Sequence, residues 1–293
     1  MSSTKKILFL LNPISGIGKK KVIPDLIDRH FSGADFDIQV RHTEYRSHGK
    51  KLAEEHKDQF DCIVAIGGDG SVNEIGSSLI HSNCALGIIP AGSGNGLARH
   101  LKIPLKAEQA LLRIKEFNVR TMDTGEVNGQ PFLGTAGFGF DAHIARKFDE
   151  HHSRGFRSYI QLVLREYRKY QPRVFRMELD GQSWENELVM CSIANSCQYG
   201  NGFIISPKSE VDDGTFELVQ VKKFNMATAP FVIRRFFNGS IEQSKFFSSS
   251  DFRKELKITV SGKSKVDFHL DGEPFTAGPE FDISLIKSSL KVI

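Results

Sequence analysis

The sequence has few cysteines, no long apolar run and little excess of charge. Its four cysteines in 293 residues match neither the spacing of a zinc site nor a disulfide framework, so we expect a reducing compartment. No segment approaches the roughly 20 apolar residues that a membrane helix needs. Residues 1–6 lead directly into a short apolar strand, without the features of a signal peptide. These absences predict a cytoplasmic protein that meets any membrane from outside the bilayer.

The near-neutral charge excludes a dedicated nucleic-acid-binding protein. The formal net charge is +4 and is spread along the chain, whereas such proteins concentrate basic residues on one surface. The strongest basic run, residues 19–21, is better interpreted as a solvated helix face than as a phosphate site. Hydrophobic residues make up 40% and charged residues 25%, which is typical of globular proteins. At roughly 100 to 200 residues per domain, the length predicts two domains.

The first half of the chain alternates apolar runs with segments compatible with helices. Each run is short and continuous and is followed by glycine or polar residues, which is the pattern of a parallel sheet covered by helices. We predict this α/β domain over residues 1–122. Its strands are predicted at 7–11, 36–40, 62–66 and 85–89, and its helices at 19–31, 47–56, 71–80 and 107–117.

After residue 120 the pattern changes to many short strands separated by turn dipeptides. The dipeptides are Asn-Gly or Asp-Gly pairs, which favour tight hairpin turns. They predict a β-rich, antiparallel sandwich over residues 123–280, with helices at 156–170 and 227–238. Phenylalanine is frequent, with 23 residues, and we interpret the pairs at 236–237 and 246–247 as core packing rather than as a lipid pocket. The pattern assigns the last strands, 281–293, to neither domain.

Three glycine-rich loops each lie between a predicted strand and a predicted helix. In an open parallel sheet, ligands bind at the carboxyl ends of the strands. Glycine backbones approach a phosphate closely, and a helix N-terminus favours negative charge. A plain turn explains the first loop equally well, but three such loops in one sheet predict a cleft for a triphosphate. The loops are Asn-Pro-Ile-Ser-Gly-Ile-Gly at 12–18, Ile-Gly-Gly-Asp-Gly-Ser-Val-Asn-Glu at 66–74 and Pro-Ala-Gly-Ser-Gly-Asn-Gly-Leu-Ala-Arg at 90–99.

Asp69 places an acid inside the second glycine loop. A carboxylate beside phosphates repels them unless a cation intervenes, so we interpret Asp69 as a residue that orients Mg²⁺ or accepts a proton. Capping of the following helix is a compatible alternative.

A fourth motif, Leu-Asp-Gly-Glu-Pro at 270–274, is by itself a β-turn. There is no GxxxxGK[ST] motif, so the site is not of the Walker type.

Together these motifs resemble the diacylglycerol kinase catalytic-domain superfamily, which includes bacterial lipid kinases, sphingosine kinases and ceramide kinases. The resemblance covers essentially the whole chain, with NPxSG, GGDG[ST]xNE, PxGSxN and DGE in the family's order, at 12–16, 67–74, 90–95 and 271–273. It implies a Rossmann-like, phosphofructokinase-related first domain, a β-rich second domain and ATP in the interdomain cleft. It also implies that the closing strand, 281–293, returns to the first domain.

The resemblance further implies roles for single residues. Glu273 matches the proposed general base of bacterial diacylglycerol kinases, whereas in sphingosine kinases the base is assigned to the aspartate that corresponds to Asp69. Asp69 and Asp123, the latter in a segment similar to the family's LDxG, are implied in the metal network. Asp213 resembles a structural metal site, although an Asp-Gly turn explains it equally well. The implied nucleotide contacts are Asn12, Ser15, Gly16, Gly67, Gly68, Gly70, Ser71, Glu74, Gly92, Ser93 and Asn95.

One position departs from the diacylglycerol-type pattern. Such members commonly have GTTND where this chain has Gly-Ser-Gly-Asn-Gly at 92–96, so Gly96 replaces an acid. The change removes one carboxylate from the implied metal network and moves the motif towards the sphingosine kinase pattern. The identity of the lipid therefore stays open.

The sequence thus predicts an ATP- and Mg²⁺-dependent kinase that phosphorylates a diacylglycerol-like or sphingoid-like lipid during transient contact with a membrane. Two alternatives stay open: an NAD kinase-like enzyme, which shares the GGDG loop, and a catalytically silent protein that binds lipid or nucleotide. No nucleic-acid partner is expected, and a homodimer stays open.

Overall fold

A computed structural model describes residues 4–13, 22–33, 35–150 and 156–293. The predicted site residues Ser15 and Gly16 and the basic run at 19–21 lie outside the described residues. By its internal contacts the chain divides into two compact units. Unit 1 extends to Asp123 and includes Lys287–Ile293, and unit 2 is Thr124–Ile286.

Unit 1 contains a parallel sheet with the strand order β2-β1-β3-β4. Every residue of β3 and β4 is buried, as expected for strands of a parallel sheet covered on both faces, and this explains their continuous apolar sequence. The elements are β1 (Lys5–Leu11), α1 (Ile23–Phe31), β2 (Phe36–His42), α2 (His48–His56), β3 (Cys62–Gly67), α3 (Asp69–Ser78), β4 (Ala85–Pro90), α4 (Gly96–His100) and α5 (Ala107–Glu116).

The returning segment of unit 1, Lys287–Ile293, lies beside β4. Val292 pairs in parallel with Leu86, and the N–H of Ile293 donates to the carbonyl oxygen of Leu86 at 3.1 Å. The side chains of Leu290, Val292 and Ile293 are buried. The segment therefore adds apolar packing to the unit formed by the first part of the chain.

Unit 2 is a sandwich of two antiparallel sheets. The first has the order β14-β13-β10-β7-β16-β17, and the second pairs β9 with β8, β8 with β15, and β15 with the first residues of β18. The elements from the unit boundary onwards are β5 (Arg120–Val127), β6 (Gln130–Phe132), β7 (Thr135–Gly139), α6 (Phe140–Glu150), α7 (Phe156–Lys169), β8 (Arg173–Leu179), β9 (Gln182–Leu188), β10 (Met190–Ala194), β11 (Gln198–Gly200), β12 (Phe203–Ile204), β13 (Phe216–Val221), α8 (Ala229–Phe237), β14 (Phe247–Phe252), β15 (Leu256–Val260), β16 (Val266–Leu270), β17 (Glu273–Ala277) and β18 (Glu280–Val292).

Alternate residues of both sheets enter a common apolar core. Phe138 and Phe268 of the first sheet contact Phe281 of the second, with ring centroids 4.7 and 5.3 Å apart. The predicted α/β domain followed by an antiparallel sandwich is confirmed. Core packing is also confirmed for Phe236, which is buried, but it is wrong for Phe237, which is exposed.

None of the four cysteines forms a disulfide, and three of them are buried. Burial raises the pKa of the Cys84 thiol to about 12, which leaves little reactive thiolate near neutral pH. In the part of the chain that the structure describes, no helix is long and apolar enough to cross a membrane.

Candidate functional site

The glycine loops after β3 and β4 touch through their backbones. A Cβ atom on Gly68 would lie 3.2 Å from the Cα of Gly92, and one on Gly92 would overlap the Cα of Gly68. The N–H of Ala91 also donates to the carbonyl oxygen of Gly67 at 2.7 Å. The ends of two adjacent strands therefore meet where there are almost no side chains. At Gly92 there is no room for a side chain.

Asp69 joins these two loops. Its Oδ2 accepts the N–H of Asn95 at 2.8 Å, and its Oδ1 accepts the N–H of Gly96 at 2.7 Å. Hydrogen bonds from N–H groups to a carboxylate are stronger than those between neutral groups. The predicted capping of α3 by Asp69 is wrong, because Gly68 occupies the N-cap position and Asp69 is the first helical residue. The carboxylate instead holds the first turn of α4.

Asn95 gives the loop after β4 its shape. Its backbone is left-handed, with φ of 54°, which asparagine tolerates better than most residues. Its side chain is buried and folds back on Gly92, with Oδ1 accepting the Gly92 N–H at 3.0 Å and Nδ2 donating to the Gly92 carbonyl oxygen at 2.9 Å. The carboxamide predicted to contact nucleotide is therefore engaged in holding its own loop.

Asn12 and Glu74 connect the second loop to other elements of unit 1. The Nδ2 of Asn12 donates to the Oγ of Ser71 at 3.0 Å, which ties the end of β1 to the first turn of α3. The Oε1 of Glu74 accepts the N–H of Ser47 at 2.8 Å, at the start of α2. Most predicted contacts thus gather at the ends of β1, β3 and β4, whereas Glu74 is directed towards α2.

The other predicted metal ligands have different surroundings. Asp123 is almost fully buried, and its Oδ1 accepts the N–H of Ser288 at 2.7 Å, so it holds the returning segment. Asp213 is exposed, and its Oδ1 accepts the N–H of Thr215 at 2.8 Å across an Asp-Gly turn. Within the described residues, no three or more His, Cys, Asp or Glu side chains are grouped as a metal site. The three metal assignments stay predictions.

The Asp-Gly-Glu motif of unit 2 forms the hairpin between β16 and β17. Leu270 pairs with Glu273, and the intervening Asp271 and Gly272 have φ of 50° and 87°, as in a two-residue type I′ turn. The Asp271 carboxylate accepts three backbone N–H groups between 2.8 and 2.9 Å away, from Leu133, Gly134 and Thr135. Glu273 is half-buried at the start of β17. Asp271, which sequence reasoning gave no role, therefore anchors the turn that carries Glu273.

Comparisons with known proteins cover nearly all of the chain. Residues 6–127 match the family model described as diacylglycerol kinase catalytic domain, and residues 134–293 match the model described as YegS C-terminal NAD kinase beta sandwich-like domain. A diacylglycerol kinase of Bacillus subtilis is 28% identical, over 92% of this chain and 90% of the relative. A YegS-like lipid kinase of Pseudomonas aeruginosa is 29% identical, over 87% of this chain and 84% of the relative.

Solved structures agree with the architecture. The crystal structure of a diacylglycerol kinase from Bacillus anthracis matches with a TM-score of 0.78, covering 100% of this chain and 98% of that chain. The sequence identity is 22%, so this likeness bears on the fold alone.

Proposed function

The chain belongs to the diacylglycerol kinase catalytic-domain superfamily, and on that premise we propose that it transfers the γ-phosphoryl group of ATP to a lipid hydroxyl. The observation that carries the proposal is the junction of the two glycine loops. There Gly68 and Gly92 are in backbone contact, and the Asp69 carboxylate of the second loop accepts two N–H groups of the third loop. Backbones without side chains allow phosphate groups to approach closely. Phosphoryl transfer depends mainly on such positioning and on charge neutralisation.

The residues at this junction fit Mg²⁺ and ATP. Mg²⁺ usually keeps several waters and takes only one or two carboxylates besides phosphate oxygens, so a closed group of three protein ligands is not required. Asp69 is the carboxylate of this junction that would hold it. A carboxylate has about four acceptor sites, so the two N–H bonds of Asp69 are compatible with this role. When bound, Mg²⁺ would neutralise negative charge on the phosphates.

We assign the general base to Glu273 rather than to Asp69. Both oxygens of Asp69 accept N–H groups that hold the loop after β4, and a proton taken by this carboxylate would remove the negative charge that strengthens those bonds. Glu273 instead follows a turn anchored by the three N–H bonds of Asp271. A rigidly supported turn restricts where a catalytic side chain can lie.

The proposed activity is tested by offering radiolabelled ATP and Mg²⁺ with a panel of acceptors. The panel contains diacylglycerol, monoacylglycerol, phosphatidylglycerol, ceramide and a sphingoid base in mixed micelles, with NAD⁺ as a soluble acceptor. We expect label in at least one lipid and none in NAD⁺. Labelled NADP⁺ would instead identify an NAD kinase. Lipid or nucleotide binding without any labelled product would identify a catalytically silent protein.

A lipid substrate requires contact with a membrane, and α8 carries an exposed face suited to it. One side of α8 packs on the apolar interior of unit 2 through Ala229, Val232 and Phe236. The other side is exposed at Pro230, Phe231, Arg234 and Phe237, with 71% of Phe231 accessible to solvent. The helix therefore has apolar residues on both sides, with a cation between the two exposed phenylalanines.

We propose that this face, formed by Phe231, Arg234 and Phe237, contacts an anionic membrane surface transiently. Phenylalanine side chains insert at the boundary between headgroups and acyl chains. Each basic residue near an anionic leaflet contributes about 1 kcal/mol of attraction. The helix contains two arginines and no acidic residue, so its charge is complementary to such a surface.

The double substitution Phe231→Ser and Phe237→Ser is expected to lower binding to phosphatidylglycerol-containing vesicles by about tenfold or more, since burial of one phenylalanine contributes roughly 1.5–3 kcal/mol. Vesicle sedimentation measures this loss. Turnover of a water-soluble short-chain substrate should not change. Leu112→Ser is the control, because Leu112 is also exposed, at 43%, but lies on α5. Equal sedimentation of the double variant and the wild type would contradict the proposed face.

A further inference from the structure

A buried polar cluster lies on the outer face of the six-stranded sheet of unit 2. Gly137 of β7 is in register with Ser192 of β10 on one side and with His269 of β16 on the other. Neighbouring residues of these strands face the apolar core, so these three positions point away from it. Because Gly137 has no side chain, Asp141 of α6 occupies the space above it, and a Cβ atom on Gly137 would overlap Asp141 and His269.

Asp141 is the centre of this cluster. Its Oδ2 accepts the Ser192 hydroxyl at 2.9 Å and lies 2.6 Å from the Tyr199 hydroxyl and 3.3 Å from the His269 Nε2. The side chains of Asp141 and His269 are only 8% and 4% exposed. A buried carboxylate is costly unless donors surround it, and these three groups supply them. The cluster therefore holds His269 in one orientation.

The other ring nitrogen of His269 faces the Asp-Gly-Glu turn. The N–H of Gly272 lies 3.3 Å from the His269 Nδ1 and donates to it. A backbone N–H can only donate, so Nδ1 accepts and the ring proton lies on Nε2, directed at Asp141. A continuous path of hydrogen bonds thus runs from Asp141 through His269 to the residue that precedes Glu273.

We propose that His269 is a positioning residue for Glu273, an inference that rests on the proposed function, in which Glu273 accepts the lipid hydroxyl proton. The turn is held at two points. Asp271 fixes its first residue through three N–H bonds, and His269 fixes the peptide of its second residue. Gly272 is conformationally permissive, so loss of its bond to His269 would allow its backbone a wider range of conformations. The side chain of Glu273, the next residue, would then be less precisely oriented.

Two substitutions of His269 separate its two hydrogen bonds. Asparagine places its side-chain oxygen near the position of Nδ1 and can accept the Gly272 N–H. Glutamine places its amide near Nε2 and can donate only to Asp141. We expect His269→Gln to lower kcat by about 10- to 100-fold, the range for a misplaced catalytic group. KM for ATP and lipid should change little, and His269→Asn should retain a kcat close to that of the wild type.

A second measurement does not depend on activity. Hydrogen exchange of the Gly272 amide, followed by mass spectrometry of a peptide spanning residues 268–276, should accelerate in His269→Gln and not in His269→Asn. His143→Asn is the control, since it removes a different histidine contact of unit 2, the 3.0 Å bond to Glu166. It should change neither kcat nor the exchange of Gly272.

Equal kcat in both His269 variants, whether high or low, would overturn the inference. Unchanged hydrogen exchange of the Gly272 amide in His269→Gln would also overturn it. Failure of the proposed function looks different. A wild-type protein inactive on the whole lipid panel would remove the catalytic role of Glu273 and with it the role of His269 in catalysis. The exchange measurement would still decide whether His269 holds the turn.

Discussion

Replacing Asp69 by alanine is expected to lower phosphoryl transfer to lipid by about 10³-fold or more, at the upper end of losses seen when a preorganised electrostatic group is removed. The substitution removes the carboxylate proposed to hold Mg²⁺ and both acceptors for the N–H groups of Asn95 and Gly96. The loop after β4 loses its anchor, so affinity for ATP should fall together with kcat. Transfer of label at saturating lipid measures the first effect, and calorimetric titration with a non-hydrolysable ATP analogue measures the second.

A matched control separates this effect from a general loss of charge. Asp58 is an exposed acid of unit 1, and Asp58→Ala should retain wild-type turnover.

Asp69→Ala should also destabilise unit 1 by about 3 kcal/mol, because hydrogen bonds to charged groups contribute roughly 1.5–3 kcal/mol each. Thermal unfolding of both variants checks this difference. Full turnover in Asp69→Ala would mean that the junction of the glycine loops is not the site of the reaction.

Replacing Glu273 by glutamine is expected to lower kcat by about 10²- to 10⁴-fold, the usual contribution of a general base. Glutamine has nearly the same shape, so the pairing of β16 with β17 and the Asp271 anchor should persist. KM for ATP should therefore change little. Steady-state kinetics on the lipid that accepts label gives both constants.

This substitution also decides between the two candidate bases. If Asp69 took the proton, Glu273→Gln would keep a kcat close to that of the wild type. Glu280→Gln serves as the control, because Glu280 is an exposed glutamate at the start of β18. It should match the wild type in both kcat and KM.

The parallel strands were predictable because burial on both faces leaves a continuous apolar sequence. The predicted strand at 62–66 is observed as Cys62–Gly67, and the one at 85–89 as Ala85–Pro90. Helix boundaries near glycine were less accurate. Helix α3 begins at Asp69 rather than at residue 71, since its N-cap is a glycine that sequence reasoning assigned to a loop.

Two helices were missed altogether. Helix α4 has five residues, too few to show a helical repeat of apolar positions. In α6 the apolar residues Phe140, Ile144 and Phe148 recur every four positions, a helical spacing that sequence reasoning overlooked. A helix as short as α4 is held by its surroundings rather than by its own sequence.

The motifs located the glycine loops but not the hydrogen bonds within them. Asp69 binds backbone groups 26 and 27 residues away, and the choice of a backbone partner leaves no signature in the sequence of side chains. The cluster around Asp141 is still less visible, because its partners lie 51, 58 and 128 residues away. The register of three strands brings Ser192 and His269 to either side of Gly137, and Tyr199 comes from a separate strand, β11.

The discontinuity of unit 1 has a consequence for the order of folding during translation. Its sheet is made early, but the returning segment Lys287–Ile293 is made only after the whole of Thr124–Ile286. At about 5–20 residues per second, the ribosome takes roughly 10–30 s to synthesise the intervening stretch. Nascent unit 1 must pass this interval with the flank of β4 uncovered, so the unit that begins first is the one completed last.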